Sequence, residues 1–349
     1  MVFSRSVLLI NTGGTIGMVK DPDTGALKPV DFVQLYEQIP VLKKVPVAID
    51  SYTFDPLIDS SNMNPGNWIR VAEVIEANYE KYDGFVILHG SDTMAYSASG
   101  LSFILENLNK PVILTGSQLP LGEVRTDGRE NLITSIEIAS AYEDETAIVP
   151  EVAIYFENQL LRGNRTHKYN AENFNAFHSF NYPALATAGL HIRYHSNYIQ
   201  KPNFKALKVH KKLDTSLVIL KLFPGIYRQA VDAILHIEDL KAVVLETFGT
   251  GNAPTDEWLL SGLKEAIDRG IVIMNVTQCN GGSVIMGKYH TSVGLSRAGV
   301  ISGYDITTES AVAKLMYLLG EDMSREELMI LLHTPLRGEM TVGDGDKRM

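Results

Sequence analysis

The chain has 349 residues, of which 45% are hydrophobic and 21% are charged, and its formal net charge at pH 7 is -10. This length exceeds the size at which one hydrophobic core usually stops growing, so the sequence predicts two domains. Because the basic residues are scattered through an acidic chain, no nucleic-acid surface is expected, and a small molecule is the favoured partner. No uncharged apolar run reaches the roughly 18 residues of a membrane span, so no membrane partner is expected.

The N-terminal residues and the single cysteine both favour a cytoplasmic location. Residues 1–5 lack the charged and apolar regions of an export signal. Cys279 is the only cysteine, which excludes an intramolecular disulfide and suits a reducing compartment. We expect Cys279 to be a small buried apolar side chain, since Gln278 and Asn280 offer no positive charge that would activate a thiol.

Two predicted strands in the N-terminal part each run into a short polar turn. Residues 7–11 are apolar until Asn11 and are followed by the glycine-rich residues 12–17. Residues 84–88 read as a strand buried on both faces, and residues 89–93 add two hydroxyls, a carboxylate and an imidazole. Open α/β folds bind ligands at the carboxyl ends of their strands, so both turns are expected to face one pocket.

The segment after the first turn is rich in turn-forming residues. Residues 17–29 form either a lid over the site or a plain surface loop. Asp31 and Gln34 are expected to cap a short helix, and residues 47–54 alternate as a second strand.

A helix start follows the second strand. Asn64 as the cap and Pro65 as the first helical residue predict it. Backbone amides near that start, together with the hydroxyls of Ser60 and Ser61, could hold a carboxylate, although the serines could equally satisfy loop backbone.

The alternation of strand, polar turn and helix continues along the chain, with Asp127 and Glu130 predicted to cap one of the helices, and Ser324 and Glu327 the last one. It predicts an α/β protein with two α/β domains: a larger, doubly wound, mostly parallel sheet over residues 1–200 and a smaller α/β domain over residues 215–349, joined by a linker over 201–214. The basic cluster at residues 162–168 is either a solvated loop or the source of a lysine for the site. Residues from 335 onward are polar and are expected to fray.

The turns favour hydroxyl chemistry over cofactor or metal chemistry. Residues 12–17 match neither the P-loop nor the dinucleotide-binding glycine pattern, so no cofactor is expected. His191 and His195 have the spacing of a helical metal pair but lack its glutamate, and we read them as surface histidines. Thr15 and Ser91 remain as candidate nucleophiles, and either could attack an amide or ester carbonyl beside a suitable base.

The two turns carry a family resemblance. Thr12-Gly13-Gly14-Thr15-Ile16-Gly17 together with His89-Gly90-Ser91-Asp92-Thr93-Met94 resembles the L-asparaginase family of two-domain amidohydrolases, in particular its cytoplasmic type I branch. The likeness spans nearly the whole chain and includes Asp59-Ser60-Ser61-Asn62-Met63, Arg162-Gly163-Asn164-Arg165-Thr166 and Gly249-Thr250-Gly251-Asn252-Ala253-Pro254. The resemblance implies hydrolysis of L-asparagine to L-aspartate and ammonia through an aspartyl ester, without a cofactor.

The resemblance also implies roles for Thr15 in the first turn and for residues 59–61 before the helix start. It makes Thr15 the nucleophile that attacks the side-chain amide. It makes Ser60 and Ser61, with Asp59 beside them, the binding site of the substrate α-carboxylate. A homo-oligomer, commonly a dimer of dimers in this family, is the expected assembly.

The remaining implied roles fall on the second turn, residues 89–93, and on the basic cluster at residues 162–168. Asp92 would hold the substrate α-ammonium, and Ser91 and Lys168 would form a second pair of hydroxyl and base. The family usually has threonine where Ser91 stands, so the hydroxyl is kept but its rotamer is less restricted. The lid tyrosine of better-known members has no counterpart in residues 17–29, which leaves the activation of Thr15 open.

Two other functions fit the same resemblance. One is an amidotransferase subunit that supplies ammonia to misacylated transfer RNA, against which the acidic balance argues. The other is a non-catalytic, amino-acid-binding regulatory protein on the same fold, which only a turnover assay separates from the enzyme.

Overall fold

The computed structural model describes residues 5–20, 27–29, 39–287 and 290–342. Backbone contacts divide the chain into two compact units, Met1–Lys211 and Lys212–Met349. This division lies inside the predicted linker, and the predicted domain boundaries themselves stay a prediction. The expected helix at residues 31–36 and the centre of the expected lid, residues 21–26, lie outside the described residues.

The first unit is built on an eight-stranded sheet. In chain order its strands are β1 Ser6–Asn11, β2 Ala48–Thr53, β3 Gly84–Leu88, β4 Val112–Thr115, β5 Val152–Phe156, β6 Gln159–Arg162, β7 Ala186–Ala188 and β8 Ile192–Tyr194. Their order in space is β8-β7-β6-β5-β4-β3-β1-β2. Strands β1 to β5 pair in parallel, and β6 to β8 extend the sheet in antiparallel fashion. The predicted mostly parallel α/β sheet is confirmed.

The strand order contains a switch point. Strand β1 lies between β2 and β3, so the chain must cross over β1 to pass from β2 to β3. In doubly wound sheets, such a reversal opens a crevice at the carboxyl ends of the two central strands. The turns after β1 and β3, which the sequence singles out, lie at this crevice.

Among the described residues of the first unit, three helices pack on the sheet: α1 Pro65–Asn78, α2 Met94–Ile104 and α3 Gly128–Ala139. Helix α1 begins as predicted, because the Asn64 side chain accepts a hydrogen bond from the Asn67 backbone at 3.2 Å. Helix α2 is buried at nearly every position, which its small and apolar composition permits. A Cβ atom on Gly100 would lie 2.5 Å from the Trp68 ring, so glycine lets α1 and α2 approach closely.

Short elements also occur in the described part of this unit. The 3₁₀ helices are Thr15–Gly17, Pro40–Lys44, Ser60–Asn62 and Gly163–Arg165. The short strands pair as Met18–Lys20 with Leu27–Pro29, Leu105–Glu106 with Lys208–Val209, Tyr142–Glu143 with Thr146–Ala147, and His167–Lys168 with Phe177–His178.

The second unit is a smaller parallel sheet with helices, also as predicted. Its strands, β9 Leu217–Lys221, β10 Ala242–Thr247, β11 Val272–Thr277 and β12 Ile301–Ser302, pair in chain order. Its helices are α4 Arg228–Leu235, α5 Glu257–Asp268, α6 His290–Ala298, α7 Thr308–Gly320 and α8 Arg325–Leu332. The predicted cap of α8 is confirmed, since Ser324 and Glu327 form a reciprocal capping box. No helix within the described ranges is long and apolar enough to cross a membrane.

The expectation that the chain frays from residue 335 onward is wrong for residues 335–342. Glu339 is fully buried and pairs with the fully buried Lys314 of α7 at 2.8 Å. The Lys314 ammonium also donates to the Leu332 and Thr334 carbonyls, while the Glu339 carboxylate accepts from the Leu336 and Arg337 backbone. Burial lowers the pKa of Lys314, which Glu339 partly offsets.

We predict that Lys314→Met lowers the free energy of unfolding by about 3 kcal/mol, because it leaves the Glu339 charge buried without its cation. Denaturant unfolding would measure this loss. Lys264→Met is the matched control, since Lys264 pairs with Asp268 on an exposed helix face, and we expect a change below about 0.5 kcal/mol. A loss under about 1 kcal/mol for Lys314→Met would contradict the prediction.

Candidate active site

Three polar segments follow three neighbouring strands of the large sheet. Residues 12–17 follow β1, residues 59–62 follow β2 after a short loop, and residues 89–93 follow β3. Since these strands are parallel and adjacent, their carboxyl ends lie at the same edge of the sheet. The strand order therefore brings together the turns that carry the predicted nucleophile and substrate-binding residues.

The three segments approach so closely that glycine is required at their contacts. A Cβ atom on Gly14 would lie 2.3 Å from the Gly90 nitrogen, and Gly14 has a left-handed φ of 82°. A Cβ atom on Gly90 would lie 2.5 Å from Ser60 Oγ. Glycine alone supplies both the space and the positive φ at position 14. Gly90 is the point at which all three segments meet.

Hydrogen bonds fix this arrangement. Thr12 donates to the Leu88 carbonyl from its backbone N–H at 3.1 Å and from its hydroxyl at 2.8 Å. The Thr12 carbonyl accepts from the Ile58 N–H at 2.8 Å, and Thr93 Oγ1 donates to the Ser60 carbonyl at 2.6 Å. Thr12 therefore joins the segments through its backbone and its hydroxyl. Thr15 is the threonine of this turn with the less buried side chain.

Thr15, the predicted nucleophile, begins the 3₁₀ helix directly after the Gly14 contact. Its side chain is half-buried, whereas Thr12 is buried. The Gly17 N–H donates to the Gly14 carbonyl at 3.0 Å and closes the turn. The backbone on both sides of Thr15 is thus fixed at the edge of the sheet.

The predicted carboxylate-binding residues have unequal surroundings. Ser60 is buried against Gly90, and Ser61 is exposed. Asp59 Oδ1 accepts hydrogen bonds from the Ser61 hydroxyl at 2.7 Å and from its N–H at 2.8 Å. These bonds to Ser61 lower the pKa of Asp59, which is therefore an anion at neutral pH. The direct role of Asp59 is to orient Ser61.

Lys168, Ser91 and Asp92 are brought together although they are far apart in sequence. Lys168 Nζ lies 2.8 Å from Ser91 Oγ and 2.7 Å from Asp92 Oδ1. The lysine reaches them from the short strand His167–Lys168, which pairs with Phe177–His178. Only 14% of the Lys168 side chain is exposed, against 68% for Asp92. The amine is thus sheltered while the carboxylate stays open to a ligand.

Gln118 is a member of this cluster that the sequence reasoning missed. Its side-chain N–H₂ group donates to the Asn173 carbonyl at 2.9 Å and to the Ala171 carbonyl at 3.2 Å. Because these bonds fix the amide, its oxygen faces the Ser91 hydroxyl at a longer 3.4 Å. Ser91 accepts from Lys168 and donates to Gln118, so the direction of its O–H bond is defined.

Asp127 anchors Gln118 instead of capping α3. The predicted capping bond is absent from its side chain. The carboxylate accepts instead from the Gln118 N–H at 3.0 Å, the Leu119 N–H at 3.2 Å and the Asn131 amide at 3.3 Å. The cap prediction for Asp127 is wrong because the backbone of residues 118–119 competes for the same oxygens.

His89 is also part of the site and also lacked a predicted role. Its Nδ1 atom lies 2.6 Å from the Gly90 carbonyl oxygen, and its Nε2 atom lies 2.8 Å from Ser97 Oγ. Burial lowers the pKa of His89 to about 4, so the ring is neutral at pH 7. His89 is the first residue of the motif at residues 89–94, so the sequence draws attention to it. Only the fold shows that its ring is buried.

The interpretation of residues 162–168 as a solvated loop is wrong. Arg162, Arg165 and Thr166 are buried. Arg162 Nε donates to Glu151 at 2.7 Å, and the Arg162 guanidinium also lies over the Tyr182 ring at 4.3 Å from its centre. Arg162 is structural because it has an internal anion, whereas Lys168 extends from the cluster to the site.

Two other predictions concern residues that could bind metal or react. Cys279 is exposed, so the expectation of a buried apolar side chain is wrong; its N–H donates to Thr277 Oγ1 at the end of β11. His195 Nε2 lies 3.3 Å from Thr187 Oγ1. Across the part of the chain that the structure describes, no group of three or more His, Cys, Asp or Glu residues could hold a metal ion.

Comparison with known proteins identifies the same two regions. Residues 6–200 match the family described as Asparaginase, N-terminal, and residues 217–332 match the Glutaminase/Asparaginase C-terminal domain. The fold and these matches define a two-domain hydrolase that acts on a linear carboxamide. The chain belongs to the asparaginase family.

Individual relatives agree with this assignment. The chain is 44% identical to L-asparaginase 1 of Escherichia coli K12, covering 97% of this chain and 99% of that protein. It is 41% identical to the 60 kDa lysophospholipase of Mus musculus, covering 97% of this chain and 63% of that protein. The crystal structure of L-asparaginase I from Vibrio cholerae matches with a TM-score of 0.87 at 41% identity, covering 97% of this chain and 99% of that one.

The contact at Gly90 gives a testable prediction. Gly90→Ala places a methyl group against Ser60, so we expect a loss of about 1–3 kcal/mol in the free energy of unfolding and a lower catalytic rate. Gly122→Ala is the control, because nothing lies within 4 Å of its Cβ position, and we expect a change within about 0.5 kcal/mol. Thermal unfolding and turnover would be compared, and equal behaviour of the two variants would show that the segments do not depend on this contact.

Proposed function

We propose that this protein hydrolyses L-asparagine to L-aspartate and ammonia, with Thr15 as the nucleophile and no cofactor. The observation that carries the proposal is the cluster of Lys168, Ser91 and Asp92, on a turn whose Gly90 touches Gly14 beside Thr15. The cluster combines a hydroxyl, an amine and an anion at the switch point of the sheet. The 44% identity to an L-asparaginase over nearly the full length supports the choice of substrate.

The substrate would be held by its amino-acid group. Asp92 uses Oδ1 for Lys168, and its exposed carboxylate can accept a further hydrogen bond from the α-ammonium. The exposed Ser61, positioned by Asp59, would exchange its hydroxyl hydrogen bond to Asp59 for one to the α-carboxylate. Ser60 would contribute to this carboxylate site indirectly, because it is buried against Gly90 and fixes the backbone next to Ser61. Because Asp59 is itself an anion, we assign it to positioning Ser61 and not to direct contact with the carboxylate.

Hydrolysis of the amide would proceed in two steps. The Thr15 oxygen attacks the side-chain amide carbon, a C–O bond forms, the C–N bond breaks, and the hydroxyl proton leaves with ammonia. Water then attacks the aspartyl ester, the bond to Thr15 breaks, and a proton returns to the threonine. Ser91 and Lys168 would relay the protons.

Each tetrahedral intermediate carries a negative oxygen that needs N–H donors. The Ser91 N–H has no acceptor among the residues that the structure describes, which makes it a candidate donor.

The comparisons do not favour either rival, the ammonia-supplying amidotransferase subunit or the non-catalytic binding protein. A homo-oligomer and a cytoplasmic location belong to the same proposal. The first is supported by the asparaginase family, which is commonly tetrameric, and the second by the free thiol of Cys279.

Thr15→Ala tests the nucleophile. We expect turnover of L-asparagine to fall by several orders of magnitude, because the covalent step is lost, while binding of L-aspartate is retained through Asp92 and Ser61. Ammonia release would measure the first and calorimetry the second, and Thr15→Ser, which keeps a hydroxyl, is the control. If Thr15→Ala kept more than about a tenth of the wild-type kcat, Thr15 would not be the nucleophile.

Substitutions of Ser91 test the proton relay. Ser91→Thr keeps the oxygen and should stay within about tenfold of the wild-type kcat, since only side-chain entropy changes. Ser91→Ala and Ser91→Val should each lose at least about a hundredfold, because acid–base assistance disappears. Lys168→Met should lose a comparable factor. Similar kcat values for Ser91→Val and Ser91→Thr would mean that this hydroxyl only packs.

A further inference from the structure

His89 lies directly after β3 at the centre of a buried chain of polar groups. Only 2% of the residue is exposed. Its Nδ1 atom contacts the Gly90 carbonyl at 2.6 Å, and its Nε2 atom contacts Ser97 Oγ at 2.8 Å. Trp68 Nε1 lies 2.9 Å from the same Ser97 oxygen. This series of hydrogen-bonded groups therefore joins α1, α2 and the turn that carries Ser91.

The two ends of this hydrogen-bonded series, the Gly90 carbonyl and the Trp68 indole, define where each hydrogen lies. The Gly90 carbonyl can only accept, so His89 Nδ1 must carry the proton. The indole N–H of Trp68 can only donate, so the Ser97 oxygen accepts from it and donates its own hydrogen to Nε2. The low pKa of the buried ring agrees with this neutral form. Every polar atom in the chain is satisfied in one arrangement only.

This arrangement fixes a peptide bond in the site. In a trans peptide the C=O and the following N–H point in opposite directions. Because His89 holds the Gly90 carbonyl on the buried side, the Ser91 N–H points away from the imidazole. That N–H has no acceptor within the described ranges, and His89 is the donor found for the Gly90 oxygen there.

We propose that His89 is a positioning residue: as the neutral Nδ1–H tautomer it locks the Gly90–Ser91 peptide so that the Ser91 N–H faces the oxygen that becomes negative. The inference rests on the proposed amidohydrolase function. In this role the buried His89 imidazole takes no part in proton transfer. It keeps the Ser91 backbone N–H preorganised as a donor. Ser97 and Trp68 hold the tautomer, since without the Ser97 hydroxyl the other ring nitrogen has no donor.

Three variants test the role of His89. His89→Asn places an amide N–H near the position of Nδ1 and keeps a donor for Gly90, whereas His89→Leu fills the space without a donor. We expect kcat for L-asparagine to fall roughly 30- to 300-fold in His89→Leu, since losing one such donor costs about 100- to 1,000-fold. KM should change little, because the amino-acid contacts lie at Asp92 and Ser61. His89→Asn should recover kcat to within about tenfold of wild type.

Ser97→Ala is the third variant and covers the case in which His89→Leu does not fold. It should lower kcat with KM unchanged. The tautomer is read from the ¹⁵N chemical shifts of the ring nitrogens, measured by nuclear magnetic resonance of histidine-labelled protein, with the His89 signals assigned by their loss in His89→Asn. Wild type should carry its proton on Nδ1, and in Ser97→Ala the Nε2 chemical shift should change, because this nitrogen loses its hydrogen-bond donor.

The outcomes separate the two proposals. If wild type releases no ammonia from L-asparagine, the proposed function fails, while the tautomer measurement still reports on the geometry. If wild type is active and a folded His89→Leu keeps near-normal kcat, or His89→Asn is as impaired as His89→Leu, the inference is overturned and the function stands. A wild-type proton on Nε2 overturns the inference as well.

Discussion

The whole site depends on three pieces of backbone that touch where side chains would normally keep them apart. Gly14 meets Gly90, and Gly90 meets Ser60, at distances that leave no room for a Cβ atom. This contact turns a general property of doubly wound sheets, the crevice at the switch point, into a specific cluster of functional groups. Thr15, Ser91 and Ser61 each lie one residue from a contacting residue, so the packing of glycine positions the chemistry.

Around this contact, the site is divided into a buried support and an open face. His89, Ser97 and Trp68 are buried and have their hydrogen bonds satisfied within the protein. Ser61 and Asp92 are exposed. Buried polar chains are rigid because any other arrangement leaves a desolvated donor or acceptor unpaired. The exposed groups keep the capacity to exchange their hydrogen bonds for those of a ligand.

Local signals in the sequence were sufficient for the parts of the fold that are decided locally. The start of α1 at Pro65, the capping box of α8 and the buried strand β3 all follow from residues within one turn or one strand. The convergence of residues 12–17 with 89–93 was also predictable, since parallel strands that end in polar turns share one edge of a sheet.

The missed features depend on contacts that reach beyond the turn, strand or helix in which each residue lies. Asp127 accepts a hydrogen bond from the Gln118 backbone, Arg162 pairs with Glu151, and Glu339 pairs with Lys314. Neither spacing nor composition marks any of these partners in the sequence. Cys279 was expected to be buried because cysteine usually is, but it lies in a loop after β11. The resemblance supplied Lys168, and only the pairing of its short strand explains how it reaches Ser91.

The near-complete burial of α2 has a consequence for how this protein can change in evolution. The helix that follows Asp92 packs on all sides, and Gly100 leaves no room beside Trp68. A substitution there must be accommodated by α1 and the sheet together, so single changes along this helix are costly. New substrate preferences would therefore arise at exposed positions, at Asp59 and Ser61 and in the loop of residues 169–175 beyond Lys168, where a side chain can change with little repacking of a neighbour.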